Sequence, residues 1–453
     1  MTKILAAVNG ILWGAPALVL ILSVGLYLSL RLGFPQLTLL PRALRFFFAR
    51  LLPRKASGAG DSSFQALCTA LGATVGTGNL VGVAGAICIG GPGAVAWMWL
   101  CGILGMVTKF TEATLAVRYR EKTPSGYVGG PMYVIEKGLG QRFRPLACCY
   151  CLFGVVAAFG VGNATQINAV ITGVNAVVSR FGGRVTPWGD LLLGLLLALF
   201  LGSMLLGGSS RIGAAAERLV PFAAAGYVLL CMAVLFLRRD AVPAAFGSIL
   251  TGVWNPRAAT GGMLGSAFQA LRVGCSRGVF TNEAGMGTAA IAHASAEVNH
   301  PAQQGLMGIM EVFLDTIVIC TLTALVILVS GVDVSYGTDT GARLTTDAFC
   351  AVLGDGAAVF IALMLGCFAI ATVLGWGLYG ARCAQFLFGP GAWQYFALAQ
   401  TATVVIAAVM ETGLVWQLAE TLNGLMVIPN LIALAVLSGE AARLTKEYKK
   451  SGA

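Results

Sequence analysis

The chain has 453 residues, 57% of them hydrophobic and 11% charged, with a mean hydropathy of +0.83. So few charges cannot cover the surface of a soluble protein of this size, which excludes a soluble enzyme or binding module and leaves one polytopic membrane domain over 1–453. The formal charge of +10 argues for no nucleic-acid partner, because most basic residues lie in short segments between apolar runs, where they set orientation in the bilayer.

At about 20 apolar residues per span, the sequence predicts an all-α fold of about eleven transmembrane helices. They lie near 11–32, 64–89, 94–117, 147–178, 188–206, 216–237, 262–292, 304–330, 357–386, 392–410 and 414–437. The first run follows a single lysine, Lys3, and shows no small-residue cleavage site, so it reads as a retained helix and not a signal peptide. Placing the segment after it in the cytoplasm collects Arg31, Arg42, Arg45, Arg50, Arg54 and Lys55 inside, together with Arg118, Arg120, Lys122, Lys137, Arg142 and Arg144. The positive-inside rule then puts the N-terminus outside and the C-terminal tail, with Arg443, Lys446, Lys449 and Lys450, in the cytoplasm; Arg238 and Arg239 fit it least.

The second span holds GATVGTGNLVG, residues 72–82, in an otherwise apolar run. Its G-x-G-x-x-x-G spacing and the lack of a preceding strand or a following Lys-Ser/Thr exclude a phosphate loop. A glycine-rich packing face explains Gly78 and Gly82 but not Thr74, Thr77 or Asn79. Backbone freed by a helix break is tolerated at membrane depth only where it is buried in protein or lines a cavity, so a break here implies a site. In the third span Lys109 and Glu112 read as an i, i+3 pair near the cytoplasmic interface. Twelve cysteines include one C-x-x-C, Cys148 to Cys151, with no second pair, and read as small buried side chains with no zinc site.

A second interrupted run spans 262–292, where Phe268-Gln269-Ala270-Leu271 repeats the Phe64-Gln65-Ala66-Leu67 of the second span ahead of another polar, glycine-rich centre. This predicts an N-terminal extra helix with its cytoplasmic loop (1–60), two inverted five-helix repeats (61–240 and 258–440), each opening with a broken helix, and a tail (441–453). The run also contains Gly274-Cys275-Ser276-Arg277-Gly278, a G-x-S-x-G, which raises an intramembrane serine hydrolase as a rival; its base would be His293 or His300. His293 lies 17 residues on from Ser276, about 25 Å along a helix, beyond hydrogen-bond reach. Arg277 with Glu283 is a candidate ion pair.

The blocks GATVGTGNLVGVAGAI (72–87), GGPGAVAWMW (90–99), GMVTKFTEATLAVRYREK (105–122), GGPMYVIEKGLG (129–140), RGVFTNEAGMGTAAIAHA (277–294), CTLTALVIL (320–328) and LNGLMVIPNLIAL (422–434) resemble the alanine or glycine:cation symporter family. The resemblance implies the leucine-transporter fold and sodium-coupled uptake of a small neutral amino acid, alanine or glycine, across the cell (inner) membrane, with sodium as transported and coupling ion and no enzyme activity. A proton-coupled or larger neutral amino-acid carrier on the same fold is the alternative. The substrate site it implies comprises Thr74, Gly76, Thr77, Gly78 and Asn79, with Gln166, an unwound Gly274 and Trp376. Sodium would lie between carbonyls near Gly72 to Val75 and the Thr372 hydroxyl. Val273, Ala371, Gly377 and Ala381-Arg382 depart from the family pattern.

Overall fold

Backbone N–H and C=O groups in a bilayer must be satisfied within the chain, and an apolar run does this most simply as a helix. The computed structural model of the protein describes residues 14–51, 61–124, 126–254, 263–337, 341–410 and 413–451. A helix, whole or broken, stands at the place of each expected span: Ala15–Leu32, Ser63–Thr74 with Val83–Gly90, Ala94–Tyr119, Arg144–Phe159 with Thr165–Arg180, Pro187–Leu205 and Gly208–Leu237. These are followed by Met263–Asn282 with Thr288–His293, Pro301–Val312 with Thr321–Val329, Gly356–Phe388, Ala392–Val409 and Gly413–Val436. Among the described residues, seven helices are long and apolar enough to cross a membrane, or up to nine if two bent pairs each count as one span. Met263–Asn282 carries Arg272 and Arg277 and is the least apolar of the long helices.

Other helices join or follow the spans, among them Leu40–Arg50, Val242–Gly252, Gly341–Leu353 and the amphipathic Ser438–Lys450. One hairpin, absent from the all-helical expectation, pairs Glu121–Thr123 antiparallel with Gly126–Val128. The Arg120 guanidinium lies 3.8 Å from the Tyr127 ring centroid and helps to hold it.

Close backbone approach shapes the core. A Cβ added to Gly308 would lie 2.8 Å from the Lys109 carbonyl oxygen, so Pro301–Val312 rests directly on Ala94–Tyr119. Helices in lipid pack this way because small residues let dispersion and polar contacts act between backbones. At one end of the bundle, Asp61 bridges to Ala296, and Arg120 donates to the carbonyls of Ala294 and Ala296. The start of the second span and the ends of the third and seventh therefore share a side, as the charge pattern requires. Near the mouth of a cavity, Arg180 pairs with Asp355 at 2.7 Å and Asp347 at 3.3 Å.

The seventh span corrects an expectation. It is a continuous helix through Gly274 and breaks only over 283–287, between Asn282 and Thr288. A Cβ on Gly274 would sit 2.3 Å from the Ala94 carbonyl oxygen, so this glycine permits helix contact and not unwinding. Val273 packs half-buried on the same helix, facing Gly90.

Candidate functional site at two helix breaks

The Ser62 side chain caps the second span by accepting the Gln65 N–H at 3.0 Å. The helix then runs to Thr74, where Val75 turns extended (φ −75°, ψ 104°). After Gly76 it resumes through a π-helical turn, Gly78–Gly82, with a bend of 51° between its halves. One side chain closes this gap. The Gly76 N–H donates to Asn79 Oδ1 at 2.9 Å, and Asn79 Nδ2 donates to Asp315 Oδ1 at 2.7 Å and to the Asp315 carbonyl at 3.2 Å. Asn79 is wholly buried.

Two residues distant in sequence meet this break. The Thr372 hydroxyl lies 3.0 Å from both the Gly72 and the Phe368 carbonyl oxygens. A Cβ on Gly76 would stand 2.9 Å from Thr372 Oγ1 and 3.6 Å from Gln166 Oε1, so only glycine leaves room between them. Gln166 donates through Nε2 to the Val161 carbonyl at 3.2 Å, while its Oε1 is buried without a partner among the described residues. Gly72, Gly76, Asn79, Gln166 and Thr372 thus converge, with Val75 at the break itself. A cavity of about 730 Å³ reaches from Arg180 and Arg343 down to Thr77 and Thr165.

The other expected residues take different places. The Thr74 hydroxyl bonds back to the carbonyls of Ala70 and Leu71 in its own helix. Gly78 faces the second broken helix, where an added Cβ would lie 2.9 Å from Thr281 Cγ2. Trp376 is fully buried against Gly162, and its indole N–H donates to Glu283 Oε1 at 3.1 Å. Ala371 lies against Gly72, Gly377 against Leu205, and the Arg382 guanidinium stands 5.3 Å from the Trp393 ring centroid.

The second break is longer and fully enclosed. Glu283 (φ 53°), Gly285 (φ 95°) and Gly287 (φ 76°) are left-handed. Its backbone is held by side chains: Glu112 Oε1 accepts the Gly285 N–H at 2.9 Å, Asn430 Nδ2 donates to the Gly285 carbonyl at 2.9 Å, and the Tyr150 hydroxyl donates to the Met286 carbonyl at 3.1 Å. Asn430 Nδ2 also donates to Glu112 at 2.7 Å. Glu283 accepts from the Thr288 hydroxyl at 2.5 Å as well as from Trp376.

These contacts correct one charge reading. Lys109 does not form an interfacial pair with Glu112. It is wholly buried and meets Glu311 at 3.0 Å, 202 residues away, because at full burial an ammonium needs a carboxylate in direct contact. The Glu283 carboxylate is engaged by Thr288 and Trp376.

Nor does a hydrolase constellation assemble. Ser276 lies on the unbroken helix, and both ring nitrogens of His293 have other partners, Glu311 Oε2 at 2.9 Å and Gln304 Nε2 at 2.7 Å. His300 caps Pro301–Val312, accepting the Ala302 N–H at 3.1 Å. Sequence reasoning missed Asp315 and Asn430. An acid within the apolar run FLDTIVIC, residues 313–320, was the available signal for the first.

Comparison with known proteins shows the family and the fold. The sequence profile of the sodium:alanine symporter family matches residues 1–453. The chain is 43% identical over 448 residues to the sodium/alanine symporter AgcS of Methanococcus maripaludis, covering 98% of this chain and 96% of that protein. It is 36% identical over 460 residues to the probable sodium/glutamine symporter GlnT of Bacillus subtilis, covering 100% and 92% of the two chains. Among solved structures, MhsT in complex with L-phenylalanine superposes with a TM-score of 0.58 over 85% of this chain and 98% of that one, at 14% identity, and so shares the fold.

Proposed function

The chain belongs to the sodium:alanine symporter family and carries out sodium-coupled uptake of a small amino acid, and on that premise we propose that the first helix break binds both cargoes. The substrate is alanine or glycine. Its carboxylate meets the N-terminus of the half-helix beginning at Thr77, Gly78 and Asn79, where the end of the helix dipole places roughly half a positive charge. The unpartnered Gln166 Oε1 supports this reading as the acceptor for the ammonium group. Gly76 completes the surroundings; Thr74 and Trp376, committed to their own helix and to Glu283, support them, and Gly274, which packs on Ala94, stands outside.

Sodium, the co-transported ion, is held by the carbonyl oxygens of Gly72 and Val75 with the Thr372 hydroxyl, a hard and uncharged oxygen set. The nearness of Thr372 Oγ1 to the Gly72 carbonyl, 3.0 Å, supports it. One charge moving through ~100 mV supplies ~2.3 kcal/mol, and a tenfold sodium gradient adds ~1.4 kcal/mol.

The protein is a multi-pass membrane protein; we place it in the inner membrane, N-terminus outside and C-terminus in the cytoplasm. The cavity then opens outward, giving the substrate a path to Thr77. Alternating access follows from two inverted repeats, each opening with a Phe-Gln-Ala-Leu helix that breaks. The observation that carries the site is the convergence of Gln166 Oε1 and Thr372 Oγ1 on Gly76. Counterflow of labelled alanine in proteoliposomes tests it: exchange should require sodium, and exchange that follows a proton gradient and ignores sodium would sink the ion assignment.

A further inference from the structure

The two breaks are joined by an unbroken chain of side-chain hydrogen bonds. From the Gly76 N–H it runs through Asn79 to Asp315 Oδ1. The Thr316 hydroxyl donates to the other oxygen of that carboxylate, Oδ2, at 2.8 Å. Thr316 Oγ1 in turn accepts from Asn282 Nδ2 at 3.2 Å, and Asn282 Oδ1 accepts the Ala284 N–H, inside the second break, at 3.0 Å. Asn79, Asp315, Thr316 and Asn282 are all buried, so water does not compete for these bonds.

The donor and acceptor pattern fits without conflict. Thr316 has one hydrogen, spent on Asp315, and a lone pair left for Asn282. Asp315 accepts at both carboxylate oxygens, Oδ1 from Asn79 and Oδ2 from Thr316, whereas an asparagine there would offer a donor at one of the two. Asp315 and Thr316 lie in the π-helical turn Phe313–Cys320, where consecutive side chains both serve the gap between the breaks. Simple space-filling does not explain the acid, because a buried carboxylate in a membrane costs several kcal/mol unless it is paired.

We infer that Asp315 is a positioning residue that couples the two breaks. It holds the Asn79 amide so that its oxygen caps Gly76, and through Thr316 and Asn282 it ties that arrangement to the turn at Ala284. Substrate arriving at the first break is thereby felt at the second, on the seventh span. This rests on the reading that the first break binds the substrate.

The test uses the full-length protein with the near-isosteric Thr316→Val, which cuts the chain without touching Asn79. In proteoliposomes, sodium-driven alanine uptake should turn over about tenfold more slowly, while alanine affinity in detergent with sodium stays within about twofold. Asp315→Asn, which also alters the contact to Asn79, should slow turnover at least as much. Hydrogen exchange without substrate or sodium gives an independent readout: Asn79→Ala should speed exchange at 282–288 about tenfold. Unchanged turnover in Thr316→Val, or equal loss of affinity and turnover, would overturn the coupling, as would unchanged exchange at 282–288. If wild-type protein takes up no alanine with sodium, the substrate reading fails, and the exchange measurement still decides the coupling.

Discussion

The two breaks solve one problem, a gap in a membrane helix, in opposite ways. The first interrupts the helix at Val75 and Gly76, uses no left-handed residue, and is closed by one side chain, Asn79. Around it lie an unpartnered Gln166 oxygen and a Thr372 hydroxyl shared between two carbonyls. The second takes three left-handed residues, and Glu112, Asn430 and Tyr150 satisfy its backbone. Glu283, non-glycine at φ 53°, carries strain of about 1 kcal/mol, offset by its bonds to Thr288 and Trp376. The first break, the proposed binding site, leaves polar groups less committed, whereas the second commits them to the protein.

That contrast predicts where substitutions damage folding and where they damage transport alone. The largest effect belongs to Gly287→Ala. At φ 76°, its Cβ would sit 2.3 Å from Pro131 Cγ and 2.7 Å from Asn430 Oδ1. Strain plus displaced packing should cost about 3 kcal/mol or more, read as a lower melting temperature in detergent; an unchanged melting curve would break the comparison at its fixed end. Next come Asn79→Ala and Gly78→Val. Each should lower uptake about a hundredfold, near 2.7 kcal/mol, while size-exclusion profiles stay monodisperse. Normal uptake by well-expressed Gly78→Val protein would remove the first break from the site.

Smaller effects sharpen the contrast. Thr372→Ala removes the hydroxyl that bonds the Gly72 carbonyl and should raise the half-saturating sodium concentration about tenfold, or about 1.4 kcal/mol. Ala371→Ser, which adds a hydroxyl near Gly72, should lower it. Titrating labelled alanine uptake against sodium at fixed pH and potential measures both, and indifference of Thr372→Ala to sodium would contradict the ion site. The least effect is expected at Ser276, on the unbroken stretch of the seventh span. Ser276→Ala should stay within about threefold of wild type in uptake and within about 0.5 kcal/mol in stability.

Composition and hydropathy were enough to establish the membrane class and the order of the spans, because a bilayer leaves an apolar run almost no choice but helix. The first break was legible too. Glycines permit unwinding, and Asn79 lies three residues from the N–H it caps, so the device is local. Tertiary structure alone decided the second break. Gly274, Gly278, Gly285 and Gly287 are equally permissive as letters, but the first two face the backbone of Ala94 and Met98, whereas the Gly285 N–H meets a carboxylate. Val75 follows Phe64 by 11 residues and Glu283 follows Phe268 by 15, so the offset after one Phe-Gln-Ala-Leu copy did not transfer to the other. Lys109 likewise found its carboxylate on another helix, at Glu311. Local sequence sets where a helix is able to open; which opening is stable depends on distant groups that satisfy the freed N–H and C=O, and only the folded bundle brings those together.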